Sequence, residues 1–347
     1  SIKMDKQIIQ NLRLLNIEAI RKKKEKLKNE ITHTPVIHFN SSCIKKLFPQ
    51  TDIFMKLELF QFTGTFKARG ALSVCYEIEE NKKKYGITAA SAGNHAIAAS
   101  WAAKKLGLSA KVVMRSTANP YRIAQAKLEG AEILITDKIE ELFATAKKLV
   151  DEELRTFIHP FEGINTTLGT AGIGMEFIES IPDLDAVIVS IGGGGLISGV
   201  ASAIKMMNPK CKIFGVEPEG ANSMYTSFIE GKPIQNANTD TIVDSLAPPM
   251  TLPFSYEVCK KYIDEIVTVS DDEICSSMLL LQQEAKLAVE PAAAATLAAL
   301  VRPLNKKLKN KKVGLLMCGA NIDALSYSSL LERGEQFIKS EKWIYKF

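Results

Sequence analysis

A lysine with the neighbours of a reactive amine lies in the segment Thr65-Phe66-Lys67-Ala68-Arg69-Gly70. A nearby cation and partial burial both lower the pKa of a lysine, and Arg69 and Phe66 are candidates for these two effects. The resulting free amine is a nucleophile toward carbonyl carbons and a base toward protons. Considered alone, Lys67 is better interpreted as an ordinary surface lysine, so its assignment depends on the other segments described below.

Four consecutive glycines, Gly192 to Gly195, follow an apolar run at 186–190 and precede a helical pattern. Glycine lets backbone N–H groups approach an oxyanion, and a helix N-terminus adds positive potential. The segment therefore predicts a phosphate site. A dinucleotide site would need G-x-G-x-x-G, but Ile197 or Ser198 stands at the third glycine position in either placement.

The segment Ser91-Ala92-Gly93-Asn94-His95 stands between a strand pattern and a helical pattern. A serine that can cap the helix and small residues that expose backbone donors suit a carboxylate or a phosphate. By itself, the segment fits a simple helix cap equally well.

Strand-like apolar runs alternate with helical patterns, and the three segments fall between them. Strands are predicted at 52–58, 86–90, 111–114, 131–135, 186–190, 212–216 and 313–317, with helices after residue 67 and at 94–105 and 120–129. This alternation predicts a doubly wound α/β fold with mainly parallel sheets flanked by helices. Ligands bind such folds where strand C-termini meet helix N-termini, which is where these segments lie.

The composition narrows the class of protein. A chain of 347 residues is long enough for two lobes, and its net charge of +5 is mild. The basic run at 21–28 is interpreted as the solvated face of a helix, not as a nucleic-acid or membrane patch. Six cysteines without metal-type spacing predict reduced thiols, and no run approaches ~18 apolar residues. We expect a cytoplasmic protein.

Five segments in their order along the chain resemble the fold-type II pyridoxal-phosphate enzymes, in the threonine/serine dehydratase and serine racemase branch. They are the Lys67 segment, the Ser91–His95 segment, the glycines with Leu196, Glu290-Pro291, and Cys318-Gly319-Ala320-Asn321. The resemblance implies a two-lobed, tryptophan synthase β-like architecture with the cofactor in the cleft between the lobes. It also implies a large cofactor-binding domain of residues 1–70 and 157–347 and a small, mobile domain of residues 71–156.

The resemblance implies roles for the residues of these segments. Lys67 would carry pyridoxal 5'-phosphate as a Schiff base and then act as the base at Cα of an amino acid. Phe66 would pack on the pyridine ring, Asn94 would bond the phenolic oxygen, and Cys318 would face the pyridine nitrogen. The remaining cofactor contacts would come from Gly192, Gly193, Gly194, Gly195, Leu196 and Glu290. The substrate carboxylate would be held by Ser91, Ala92, Gly93, Asn94 and His95.

The reaction that the resemblance implies is β-elimination from L-threonine, L-serine or a related β-hydroxy amino acid, giving a 2-oxo acid and ammonia. Cys318 is a neutral hydrogen-bonding group, which would leave the pyridine ring unprotonated and favour elimination. Racemases of the family carry a serine at the position of Ala92, and alanine has no proton to give. Serine or aspartate racemisation, and lyase activity on hydroxyaspartate or diaminopropionate, stay open as alternatives.

The resemblance leaves a divalent cation open. Members of the family that bind Mg²⁺ or Ca²⁺ use a glutamate, a backbone carbonyl and an acidic residue, and Glu217, Ala221 and Ser223 occupy these positions here. A hydroxyl at Ser223 removes a charged ligand that a hard cation prefers. The family also implies a homodimer or homotetramer.

Overall fold

A computed structural model describes residues 4–235 and 238–341 of the chain. The strands are β1 (Val36–His38), β2 (Asp52–Leu57), β3 (Ile87–Ser91), β4 (Ala110–Arg115), β5 (Glu132–Thr136), β6 (Thr156–Phe157), β7 (Ala186–Ser190), β8 (Lys212–Pro218), β9 (Glu265–Val269) and β10 (Lys312–Met317). The helices are α1 (Lys6–Leu14), α2 (Ile17–Leu27), α3 (Ser42–Leu47), α4 (Lys67–Tyr76), α5 (Asn94–Lys105), α6 (Pro120–Leu128), α7 (Ile139–Glu153), α8 (Ile164–Ser180), α9 (Gly195–Met207), α10 (Ser223–Glu230), α11 (Pro253–Tyr262), α12 (Asp271–Ala285), α13 (Pro291–Val301) and α14 (Ala324–Glu341). Each strand that the sequence predicts is present, with its ends shifted by at most two residues.

The strands form two separate sheets. The larger has six strands in the order β1-β2-β10-β7-β8-β9, all parallel to their neighbours except β1, which is antiparallel to β2. The smaller has the order β5-β4-β3-β6 and is parallel throughout. The predicted α/β class with mainly parallel sheets flanked by helices is therefore confirmed.

The large sheet is buried at its centre because its strands are apolar on both faces. Every residue of β7 is buried, and the β-branched Val187, Ile188 and Val189 suit a strand enclosed on both sides. Helix α13 packs on β7 and β10, and its run of four alanines at 292–295 permits a close approach to the sheet. The glycine segment at the end of β7 thus starts from a rigid support.

The smaller sheet and its core lie in the segment predicted as the small domain. The four strands span residues 87–157, so β6 extends one residue beyond the predicted boundary at 156. Leu27, from the segment assigned to the large domain, belongs to the hydrophobic cluster under this sheet. The division into domains and the mobility of the smaller one stay predictions.

The basic run at 21–28 lies on α2, which buries Ile20 and Leu27. Its lysines are mostly solvated, but Lys23 is buried and donates to Glu77 Oε1 at 2.8 Å, so the predicted wet face has one exception. The six cysteines are free thiols, and only Cys43 is not fully buried. None of the described helices has the length and apolarity needed to cross a membrane.

Candidate active site

The Lys67 segment is hydrogen-bonded to the Cys318 segment, which directly follows β10 of the large sheet. The N–H of Phe66 donates to the carbonyl of Cys318 at 3.0 Å, and Thr65 pairs with Gly319 in an isolated bridge. Helix α4 begins at Lys67, whose backbone N–H donates to Thr65 Oγ1 at 3.1 Å. Two motifs far apart in the sequence are therefore parts of one local structure.

The Lys67 amine lies in a narrow pocket without a carboxylate partner among the described residues. It donates to the carbonyl of Pro160 at 2.6 Å and stands 5.4 Å from the ring centre of Phe66. Burial lowers the pKa of Lys67 to about 8, although the nearby Cys318 and Glu290 act in the opposite direction. An appreciable fraction of the amine is therefore free base near neutral pH.

Arg69 is turned away from this pocket into a cluster of four buried charges. Its Nε lies 2.6 Å from Glu58 Oε1 and its Nη1 lies 2.6 Å from Glu176 Oε2, while Lys56 Nζ lies 2.8 Å from Glu176 Oε1. We call Lys56, Glu58, Arg69 and Glu176 the charge-balanced cluster. The expectation that Arg69 lowers the pKa of Lys67 was wrong, because two carboxylates neutralise the guanidinium and burial alone lowers it.

The glycine segment has the properties of an oxyanion cradle. None of the N–H groups of residues 192–196 donates to an acceptor within the described chain, which leaves these donors free for a ligand at the start of α9. A Cβ at Gly193 would lie 2.1 Å from the ring of Phe161, and Gly194 has φ +104°. Side chains are excluded here by a neighbouring ring and by the backbone conformation.

The Ser91–His95 segment begins α5 with a side-chain cap. Ser91 Oγ accepts the N–H groups of Gly93 at 2.9 Å and Ala96 at 3.1 Å. Gly93 has φ +151°, and a Cβ on it would lie 2.1 Å from Cδ of the buried Arg122. The N–H groups of Asn94 and His95 find no acceptor among the described residues, so they are available to a carboxylate.

The imidazole of His95 is already committed to the backbone. Its Nε2 lies 2.7 Å from the carbonyl of Ile158, so this nitrogen carries the proton of the neutral ring. Burial, together with the charge of Lys67, lowers the pKa of His95 to about 3. In the neutral state only the backbone N–H of His95 is free to donate to a substrate carboxylate.

The carboxylate of Glu290 joins four segments of the chain. Its carboxylate accepts Asn94 Nδ2 and the N–H of Asn321, both at 2.8 Å, and Arg122 Nη2 and Ser245 Oγ, both at 3.2 Å. An asparagine amide has two N–H groups, so Asn94 keeps one donor for a further partner. This second N–H group leaves room for the predicted hydrogen bond from Asn94 to a phenolic oxygen.

Cys318 lies beside the Lys67 amine and is almost fully buried. Burial raises the pKa of its thiol well above the ordinary value, and Glu290 raises it further. The thiol therefore stays neutral, as its predicted role requires.

Two residues of this site were missed by the sequence analysis. His159 lines the pocket together with Lys67. Arg122, on α6, donates to the backbone carbonyl of Asn321 and to the carboxylates of Asp244 and Glu290. Neither residue stands in a segment whose composition indicated a site. The position of His159 shortly after the end of β6 could have indicated it, because ligands bind α/β folds at strand ends. The pocket is lined by Phe66, Lys67, Gly70, Ala71, His95, His159, Pro160, Thr166, Thr170 and Gly195.

Of the three candidate metal ligands, Glu217 is already engaged by the backbone. Both oxygens of the buried Glu217 accept N–H groups from the first turn of α10, from Met224 at 3.1 Å and Tyr225 at 2.7 Å. Burial raises the pKa of Glu217 to about 8, which favours its neutral form. The described residues contain no group of three or more His, Cys, Asp or Glu side chains that could hold a metal ion. Glu217 therefore caps the start of α10, and a divalent cation at Glu217, Ala221 and Ser223 stays a prediction.

A half-buried lysine whose amine has a lowered pKa, a cradle of free N–H groups and a neutral thiol define a site for an aldehyde that carries a phosphate, which is the chemistry of pyridoxal 5'-phosphate. The fold and this donor set together define a pyridoxal-phosphate enzyme. The chain belongs to the pyridoxal-phosphate dependent enzyme family, whose sequence pattern matches residues 27–319.

Similar proteins narrow the class further. The chain is 44% identical over 321 residues to a phenylserine dehydratase of Ralstonia pickettii, covering 92% of this chain and 98% of the relative. It is 34% identical to an L-threonine ammonia-lyase of Thermotoga maritima, covering 96% and 81%. The maize serine racemase structure superposes with a TM-score of 0.84 at 32% identity, covering 91% of this chain and 98% of that one. The protein is an enzyme of the dehydratase and ammonia-lyase class, as the sequence predicts.

Proposed function

We propose that this enzyme removes the β-hydroxyl and the amino group from a β-hydroxy amino acid, L-threonine, L-serine or a relative with a larger β-substituent, to give a 2-oxo acid and ammonia. The similarity to a phenylserine dehydratase and to an L-threonine ammonia-lyase supports this substrate class. The observation that carries the proposal is the Lys67 amine, held as a partly free base in a pocket that opens beside the Ser91–His95 segment. Ala92 in that segment offers no proton for the other face of Cα.

The cofactor is proposed to be held by residues of both halves of the cleft. Lys67 would bind its aldehyde carbon, the N–H groups of residues 192–196 its phosphate, and the remaining N–H of Asn94 its phenolic oxygen. Phe66 would contact the ring, and the neutral Cys318 would face the ring nitrogen. When bound, pyridoxal phosphate withdraws electrons from Cα of the amino acid, which makes the Cα proton removable.

The chain itself supplies positioning and proton transfer. The free N–H groups of Asn94 and His95 would fix the substrate carboxylate, which sets the Cα–H bond toward Lys67. The Lys67 amine would take the Cα proton, and its lowered pKa places it near the value at which a base works well at neutral pH. Ser91 keeps this segment in place through its cap on α5.

The test is a product assay on purified enzyme loaded with pyridoxal phosphate. We expect 2-oxo acid and ammonia in equal amounts from at least one of L-threonine, L-serine and 3-phenylserine, with Lys67→Ala as the inactive control. Hydroxyaspartate, diaminopropionate and aspartate complete the panel, and chiral chromatography of the residual substrate measures racemisation. Racemisation without 2-oxo acid would replace this proposal with the racemase alternative, which the likeness to maize serine racemase favours.

Three further proposals accompany this function. We propose that the enzyme is a homodimer or homotetramer. Size-exclusion chromatography with light scattering will test this by comparing the molar mass in solution with the 38.1 kDa of one chain. We propose that residues 71–156 move as a small domain when substrate binds, which small-angle scattering with and without substrate will test. The six free thiols support a reducing compartment such as the cytoplasm.

A further inference from the structure

The imidazole of His159 is held in one tautomer by the backbone. Its Nδ1 accepts the N–H of Phe161 at 3.1 Å and the N–H of Glu162 at 2.9 Å. A backbone N–H can only donate, so Nδ1 carries no proton and the proton of the neutral ring is on Nε2.

The ring plane of His159 is fixed as well. Phe157 and Phe161 meet it in edge-on contacts, at centroid distances of 6.1 and 4.7 Å. Burial, aided by the charge of Lys67, lowers the pKa of His159 to about 4, so the ring stays neutral at physiological pH. His159 is thus an oriented, neutral hydrogen-bond donor.

His159 is part of the reaction pocket, and its Nε2, on the side of the ring away from the turn that holds Nδ1, has no hydrogen-bond partner among the described residues. His159 lines the pocket together with Lys67, and the next residue, Pro160, provides the carbonyl that holds the Lys67 amine. Nothing in the described chain accepts a hydrogen bond from Nε2 of His159. His95 differs in this respect, because its Nε2 proton is used by the carbonyl of Ile158.

We propose that His159 is a catalytic residue whose Nε2–H donates a hydrogen bond to the β-oxygen of the substrate as the Cβ–O bond breaks. This inference rests on the proposed function and assigns the group that stabilises its leaving hydroxide. In the elimination, the Cα–H bond breaks with the proton taken by Lys67, and the Cβ–O bond breaks with its electron pair on oxygen. The proton lost from Cα balances the hydroxide as water, so His159 supplies a hydrogen bond and no net proton.

The competing explanation is that His159 only closes the turn at residues 159–162. Two substitutions separate the two roles. In His159→Asn the amide oxygen can replace Nδ1 as the acceptor of the turn, but the Nε2–H is lost. In His159→Gln the amide N–H can replace Nε2–H, but the acceptor at Nδ1 is lost.

The experiment compares kcat/KM for the best β-hydroxy substrate with kcat/KM for β-chloro-L-alanine, whose chloride leaves without a hydrogen bond to oxygen. We expect His159→Asn to lower the value for the hydroxy substrate about 10²-fold and to leave the chloride substrate within a few-fold of wild type. His159→Gln should keep the ratio of the two values near that of wild type, whatever its overall activity. Equal losses on both substrates in His159→Asn, or the same ratio in both variants, would overturn the proposal.

A second readout does not depend on turnover. The chain has four histidines, so ¹⁵N-histidine NMR, with His159→Asn for assignment, resolves the ring nitrogens of each. We expect His159 to stay in the Nε2–H form between about pH 6 and 8, and a charged or Nδ1–H ring would contradict the inference. If wild type releases no 2-oxo acid from either substrate, the proposed function fails, whereas unequal effects of the variants test His159 alone.

Discussion

Two lysines withdrawn from water, Lys56 and Lys67, have opposite surroundings. Lys56 is fully buried, lies 2.8 Å from a Glu176 oxygen, and donates to the carbonyl of Thr34 at 2.7 Å. The Lys67 amine donates to the Pro160 carbonyl and has a neutral thiol nearby, and among the described residues no carboxylate lies within ion-pair distance of it. Burial lowers the pKa of both lysines, but Glu176 and Glu58 oppose this effect on Lys56, whereas the pKa of Lys67 falls to about 8.

The two regions meet on the first turn of α4. Lys67 points into the pocket, and Arg69, two residues later, holds the same turn to Glu58 after β2 and to Glu176 on α8. An ionic network with little freedom to relax therefore supports the reactive amine. The comparison predicts that changes in the cluster will act on stability and changes in the pocket on chemistry.

The largest expected effect is on chemistry. Lys67→Ala should lower 2-oxo-acid release by about 10³-fold or more, because it removes the group that takes the Cα proton. It should also abolish the visible absorption of lysine-bound cofactor, while the free energy of unfolding measured in urea changes little. A variant that keeps most of its activity would show that another group removes the proton.

The matching change in the cluster should act on folding. Arg69→Met leaves Glu58 and Glu176 buried with too little positive charge, and we expect the free energy of unfolding to fall by about 3–5 kcal/mol. Urea denaturation measures this loss, and Arg69→Lys should recover part of it. Wild-type stability in Arg69→Met would mean that the cluster does not support α4.

A pair of glycines gives a smaller contrast. Gly193→Ala places a Cβ 2.1 Å from the ring of Phe161, and we expect cofactor affinity to fall about 10-fold or more as the cradle is displaced, since forced overpacking costs about 1–3 kcal/mol. Gly172→Ala, on α8 beside Arg69, meets its nearest atom at 3.4 Å and should leave affinity unchanged. Fluorescence titration with pyridoxal phosphate measures both.

The lowered pKa of Lys67 gives a pH dependence. Only the free amine attacks an aldehyde, so the rate of cofactor attachment to the apoenzyme should rise about tenfold per unit up to pH about 8 and then level off. Stopped-flow absorbance measures this rate. Because the folded-state pKa lies below the ordinary 10.5, wild type should also gain stability relative to Lys67→Ala as pH rises from about 8 to 10.5. A midpoint near 10.5 would mean that the amine is solvated.

The smallest expected effect concerns the second face of Cα. Ala92→Ser introduces a hydroxyl in the substrate segment and should raise racemisation relative to elimination a few-fold, below the factor of about 10² or more that a fully positioned general acid contributes. Chiral chromatography beside the 2-oxo-acid assay gives the ratio. An unchanged ratio would remove the argument that Ala92 favours elimination.

Much of this protein follows from its sequence alone. Strands such as β7 could be predicted because β-branched apolar residues in a short run suit a buried strand. The glycine segment and the cap at Ser91 were also predictable, since the need for glycine and for a capping oxygen is local. The order of the motifs was enough to indicate the family and the reactive lysine.

Only the tertiary structure decided how those residues are charged and oriented. Arg69, placed by its sequence neighbours next to Lys67, is neutralised by Glu58 and Glu176, and the latter is more than a hundred residues away. The turn at residues 159–162 places the proton of His159 on Nε2, but only the fold brings this ring into the pocket that contains Lys67. The pKa of Lys67 depends on distance and burial in three dimensions, since the carbonyl that holds its amine lies 93 residues along the chain.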